Sequence, residues 1–153
     1  MKKIITFLTL LFSLVSFAQY TLTLSDIDYV LDGTNLTITG YTNTTEKDII
    51  IPASFIDGMN TYTVKTIGDY AFYEKYLTSL TLPNSLINIG LGSFISNSLT
   101  NLTIPNSVTT IGNNAFSSNS LIVLNIPSSV TTIGSYAFYQ NSLSSVSIPK
   151  QCD

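Results

Sequence analysis

The apolar positions of this chain recur with a period of 22 residues from Leu77 onward. LTSLTLPNSLINIGLGSFISNS, LTNLTIPNSVTTIGNNAFSSNS and LIVLNIPSSVTTIGSYAFYQNS align without a gap, and LSSVSIP opens a further copy. Every landmark recurs by addition: Pro83, Pro105, Pro127 and Pro149; Gly68, Gly90, Gly112 and Gly134; Phe72, Phe94, Phe116 and Phe138. In the copy Leu99 to Ser120, Leu99, Leu102 and Ile104 are expected to point inward from a short strand that Pro105 ends by removing the next backbone donor. Val108 and Ile111 line the returning segment. Gly112 suits a backbone turn that a side chain would obstruct. Ala115 and Phe116 fill the core on the far side, in a single helical or 3-10 turn. Asn97, Asn119 and Asn141 share one position, so their amides should form a ladder on backbone groups of neighbouring coils.

Upstream the pattern changes. Tyr20 to Tyr41 alternates apolar and polar residues around Asp32-Gly33, a hairpin signal, and the hairpin would cover the apolar end of the first coil. A linker follows at Thr42 to Thr45. Glu46 to Pro52 again matches the strand portion of a repeat, with Ile49, Ile51 and Pro52 in the places of Leu80, Leu82 and Pro83. Extra residues within SFIDGMNTYTV lengthen this coil, and Asp57-Gly58 predicts a second small hairpin there. The expected organisation is residues 1–18 as a signal peptide, 19–45 as capping hairpin and linker, and 46–153 as the repeat array with an incomplete last copy. One coil buries too few side chains to offset its own ordering, so stability must come from stacking.

A period of 20 to 29 residues with an L-x-x-L-x-L core points to a mainly β leucine-rich-repeat solenoid, with short parallel strands on its concave face. The consensus L-x-x-L-x-I-P-x-S-V-x-x-I-G-x-x-A-F resembles the BspA-type leucine-rich repeat of bacterial surface proteins. That resemblance covers Glu46 to Pro149 and implies a secreted or surface-displayed binding protein, in some relatives an adhesin, with no catalytic residues to carry over. Relatives often carry cysteine after A-F-x-x, where this chain has Asn97, Asn119 and Asn141, and Lys75 in the first coil. The half-built last coil also leaves room for a truncated, non-functional member.

The N-terminus has its own pattern. Lys2 and Lys3 precede the apolar run IITFLTLLFSLV and then Ser16-Phe17-Ala18, the design of a secretory signal peptide, too short to span a bilayer. Cleavage after Ala18 would leave a soluble product in the extracellular space, at the cell surface or in the periplasm. It would also leave four lysines against nine acidic residues, a side-chain balance of 4 − 9 = −5, with no arginine and no histidine. Nucleic acid is therefore an improbable partner. The absence of histidine removes the usual general base and imidazole metal sites, so the expectation is a non-catalytic protein with no cofactor and no metal. Asp26, Asp28 and Asp32 depart from the calcium-loop pattern, and alternation puts Asp26 and Asp28 on the wet face of a strand. The sequons beginning at Asn35, Asn43 and Asn101 are expected by chance in so Asn- and Thr-rich a chain.

Two candidate surfaces remain. On the strand face, Asp48, Ser79, Asn101, Val123 and Ser145 form one column and Ile50, Thr81, Thr103, Asn125 and Ser147 another. Of these, Asp48, Ser79, Thr81, Asn101, Thr103, Asn125, Ser145 and Ser147 are candidates to bind an extended peptide or a glycan; the competing reading is a solvated, β-compatible surface. The second set comprises Tyr62, Tyr70, Tyr73, Tyr136 and Tyr139, either contact residues or packing on the convex side. The functional expectation is an exported adhesion or recognition protein for an extracellular protein or glycan. The alternative is self-assembly through the last strand edge, locked by Cys152.

Overall fold

In the computed structural model, residues 19–149 are described. The expected signal peptide at 1–18 and Cys152 lie outside them. The strands are β1 (Tyr20–Thr21), β2 (Ile27–Asp32), β3 (Asn35–Tyr41), β4 (Asp48–Ile50), β5 (Ser54–Asp57), β6 (Asn60–Ile67), β7 (Ser79–Thr81), β8 (Asn88–Ile89), β9 (Thr110–Ile111), β10 (Val123–Asn125), β11 (Thr132–Ile133) and β12 (Ser145–Ser147). They form a β-solenoid of stacked coils. β2 and β3 make the N-terminal hairpin, closing with Asp32 opposite Asn35. β5 and β6 make the second hairpin, closing with Asp57 opposite Asn60.

The repeat geometry is carried by columns of like residues. Phe72, Phe94 and Phe116 are fully buried, with ring centroids 5.0 and 5.2 Å apart, and Phe138 follows at 5.6 Å. The rings are nearly parallel, which the strand spacing of ~4.8 Å imposes on any residue repeated once per coil. Tyr41 of the hairpin stacks on Phe72 at 5.2 Å and begins the column. Its hydroxyl donates to the Glu46 carbonyl at 3.0 Å. Burial, and then the nearby Asp26 and Glu46 charges, push this phenol up to about 12.

The returning segment is more ordered than the sequence suggests. β6, β8, β9 and β11 pair in parallel, with Ile67, Ile89, Ile111 and Ile133 in register, and β3 and β2 extend the same seven-stranded sheet through the hairpin. Sequence reasoning saw only apolar spacing here, because two-residue strands carry too little alternation to be recognised. The turn after each glycine is also not helical. Tyr70, Gly92, Asn114 and Tyr136 occupy one left-handed position, and Glu74, Ser96, Ser118 and Gln140 another. Between them, amides bond across coils, as in Phe94 N–H to the Ala115 carbonyl at 2.8 Å.

Glycine is required in its column for closeness. A methyl group at Gly112 would lie 2.7 Å from the Gly90 carbonyl carbon and 2.7 Å from the Leu91 nitrogen, both backbone atoms of the coil below. The obstruction is steric, as expected from the sequence, and involves no left-handed backbone, since none of Gly68, Gly90, Gly112 and Gly134 has positive φ.

Asp26 departs from the expected wet face. It sits at the end of a 3-10 turn (Leu24–Asp26) with 6% exposure. One carboxylate oxygen accepts from the Thr23 amide at 2.8 Å, the Thr23 hydroxyl at 2.7 Å and the Tyr20 hydroxyl at 3.2 Å; the other accepts from the Asn43 amide at 2.9 Å. Burial raises its pKa, but these bonds, led by those from Thr23, outweigh it and hold the carboxyl below the usual range. Strand alternation does not apply to a residue in a turn, and burial is tolerated because every donor aims at the anion.

Two substitutions test the stacking. Gly112→Ala should destabilise the chain by about 3 kcal/mol, read as a lower urea midpoint, because backbone cannot move aside as a side-chain tip can. Ser93→Ala should do the opposite. Ser93 is fully buried in the column of Ala71, Ala115 and Ala137, and its hydroxyl has no hydrogen-bond partner. Removing it should raise stability by roughly 1 kcal/mol in the same titration.

Candidate functional site

The asparagine column shows how each coil is tied to the next. The Asn119 amide nitrogen donates to the Phe94 carbonyl of the coil below at 3.0 Å and to the Phe116 carbonyl of its own coil at 3.2 Å, while its oxygen accepts from Leu99 N–H at 3.1 Å. Asn97 and Asn141 repeat this arrangement on Phe72, Phe94 and Leu77, and on Phe116, Phe138 and Leu121. In the first coil Lys75 stands in that place, and its carbonyl instead accepts from the Lys47 ammonium at 3.0 Å. These residues, like the glycine column, hold coils together and face no ligand space.

The strand face divides into three regions. At its N-terminal end, β1, β4 and β7 form a parallel sheet with Asp48 opposite Ser79 and Ile50 opposite Thr81. Here the polar side chains are engaged with each other. Thr78 donates to Asp48, the Gln19 amide donates to the Ser79 hydroxyl at 2.5 Å, and Thr81 donates to the Gln19 carbonyl oxygen at 2.8 Å. At the other end β10 and β12 pair with Val123 opposite Ser145 and Asn125 opposite Ser147.

Between them the sheet is open. Asn101–Ile104 lies where the repeat predicts a strand, yet it forms none, and no backbone hydrogen bond joins it to β7 or β10. Leu102 and Ile104 remain buried, so the coil keeps its place in the stack while its peptide groups are left without backbone partners. A cavity of about 260 Å³ sits beside it, lined by Leu102, Thr103, Ile104, Asn106, Asn125, Ile126 and Pro127. Apolar walls with a few amide and hydroxyl groups are the usual make-up of a small recognition site.

The structure thus brings Thr103 and Asn125 together at one opening and leaves Asn101, Ser145 and Ser147 exposed nearby. It ties up Asp48, Ser79 and Thr81. Sequence reasoning missed Asn106 and Gln19. Asn106 follows a repeat proline exactly as Asn84 does, so nothing local distinguishes it, and Gln19 precedes the first strand. Among the tyrosines, Tyr62 lies on β6 opposite Phe55 and packs against the core. Tyr70, Tyr73, Tyr136 and Tyr139 are exposed.

Among the described residues no group of three or more acidic or cysteine side chains could hold a metal ion, and no helix is long and apolar enough to cross a membrane.

The model of the BspA type leucine rich repeat region matches residues 59–153 in six copies. No curated protein matches the chain. Among solved structures, a leucine-rich repeat protein from Bacteroides capillosus ATCC 29799 is similar at 28% identity and a TM-score of 0.71, over 84% of this chain and 98% of that one. A leucine rich cell surface protein from Faecalibacterium prausnitzii A2-165 is similar at 26% identity and a TM-score of 0.61, over 84% of this chain but 42% of that one. The T. pallidum leucine rich repeat protein shares the fold at 24% identity and a TM-score of 0.66, over 82% of this chain and 70% of that one. With the repeat consensus matched over more than half of its length, this chain belongs to the BspA-type leucine-rich-repeat family.

Proposed function

We propose that the protein is an exported, non-catalytic recognition protein that holds an extended segment of an extracellular protein against the open middle of its concave face, in a role such as adhesion. The observation that carries this reading is the unpaired stretch Asn101–Ile104 beside its cavity. A cavity with apolar walls and a few hydroxyl and amide groups can take side chains of an extended chain laid along this face, and its lining gives selectivity. Thr103, Asn106 and Asn125 supply hydroxyl and amide contacts there. The leader sequence supports export, and the similar protein from F. prausnitzii is described as a cell surface protein. A chain without histidine, with lysines dispersed over different coils, supports a scaffold for binding over one for chemistry.

The test is selection of binders from a random linear peptide library, followed by titration. Asn101→Ala combined with Thr103→Ala should weaken a selected peptide by about 2 kcal/mol, roughly thirtyfold. Unchanged affinity in the double variant would remove the concave-face reading.

A second reading, self-association, has its own observation. Val146 and Ile133 take positions that are buried in earlier coils, yet are 48% and 44% exposed, and β12 pairs only with β10 among the described residues. Such an edge is a template for another strand. Sedimentation of the full chain at micromolar concentration, with and without reductant, decides it: a monomer in both disposes of assembly, and a reductant-sensitive dimer assigns the join to Cys152.

A further inference from the structure

A different edge of the solenoid carries two aromatic pairs. Tyr70 and Tyr73 meet edge to face at 6.2 Å, and Tyr136 and Tyr139 do the same at 5.5 Å. The two pairs occupy the same positions three coils apart, so they stand roughly 14 Å from each other at ~4.8 Å per coil. Between them the Tyr70 column carries Gly92 and Asn114, the Tyr73 column carries Ile95 and Ser117, and the adjoining column carries Ser96 and Ser118 between Glu74 and Gln140. The Tyr70 ring leans over Gly92, leaving no room there for a side chain.

Core burial does not account for these tyrosines. Tyr70 and Tyr136 are 52% and 67% exposed, and both hold left-handed backbone, at φ 56° and 60°. The two intervening coils fill that position with glycine and asparagine, the residues that adopt it at least cost. A bulky residue there costs on the order of 1–3 kcal/mol, and strain of this kind collects where a side chain must be presented. Tyr70 and Tyr136 thus stand in left-handed positions, exposed to solvent, at the two ends of a stretch of mostly small, uncharged side chains.

We propose that this edge binds a neutral, extended β-1,4-linked hexose chain. Sugar rings offer C–H faces to aromatic rings and hydroxyls to amides and serines, which is the alternation found here. Such a chain also advances per sugar by nearly the distance that the solenoid advances per coil. Rings at the two ends of a short run can therefore stack on both tyrosine pairs while the intervening sugars lie over Asn114 and the serines. The absence of any lysine or arginine between the pairs, in a chain of net charge −3, favours an uncharged polymer over an acidic one. This site is separate from the concave face and does not rest on it.

Calorimetric titration of the full chain with the hexaoses and disaccharides of β-1,4-linked glucose, mannose and N-acetylglucosamine tests the proposal. One hexaose should bind, and its disaccharide at least tenfold more weakly, because only the longer chain reaches both pairs. Tyr70→Gly and Tyr136→Asn should each weaken the hexaose about tenfold or more, while the urea midpoint stays level or rises as strain is released. Asn101→Ala with Thr103→Ala should leave hexaose binding as it was. No binding of any hexaose at millimolar concentration, equal binding of hexaose and disaccharide, or full binding by both tyrosine variants would each overturn the assignment.

Discussion

Direct superposition of one coil on the next, at the spacing of hydrogen-bonded strands, is the constraint on which every other feature depends. Once the backbone repeats at that distance, each position becomes a row, and each row accepts only side chains that can stack on themselves. Phenylalanine satisfies this by lying nearly parallel to its neighbours, at interplanar angles of 4° between Phe94, Phe116 and Phe138. Asparagine satisfies it by bonding to two coils at once. Glycine satisfies it by leaving room for backbone against backbone.

The same constraint explains where the molecule is free to vary. Residues that face the core or a neighbouring coil are fixed by the row they join, whereas residues on the strand face and the turn edge are held by far fewer contacts. The two candidate surfaces, the unpaired middle of the concave face and the tyrosine-bearing edge, both lie on that free shell. They differ in kind. One is a cavity with apolar walls and a few amide and hydroxyl groups, and the other presents exposed aromatic faces. A rigid stack lets both be displayed without coupling, since neither lies in the column contacts that hold the coils.

Much of this was legible in the sequence because repetition amplifies weak signals. A single proline, glycine or phenylalanine says little, but four of each at one spacing define the coil, its core and its asparagine ladder. The hairpins at Asp32-Gly33 and Asp57-Gly58 were legible from turn chemistry alone. The return sheet was not, because β8, β9 and β11 have two residues each and show no alternation. Asp26 was misplaced because a turn interrupts the strand period that its neighbours obey. The opening at Asn101–Ile104 was invisible for the opposite reason: its residues match the consensus, so the repeat itself predicts a strand there. Departures from a repeat that keep its sequence can be found only in three dimensions.

Tyr41 gives the aromatic column a defined first member. Its ring continues the row of phenylalanines, but its hydroxyl is already committed to the Glu46 carbonyl, and the hairpin covers that side of the stack. No further ring can be laid beneath it. The architecture is therefore directional: the 22-residue unit can extend the column only on the side away from Tyr41.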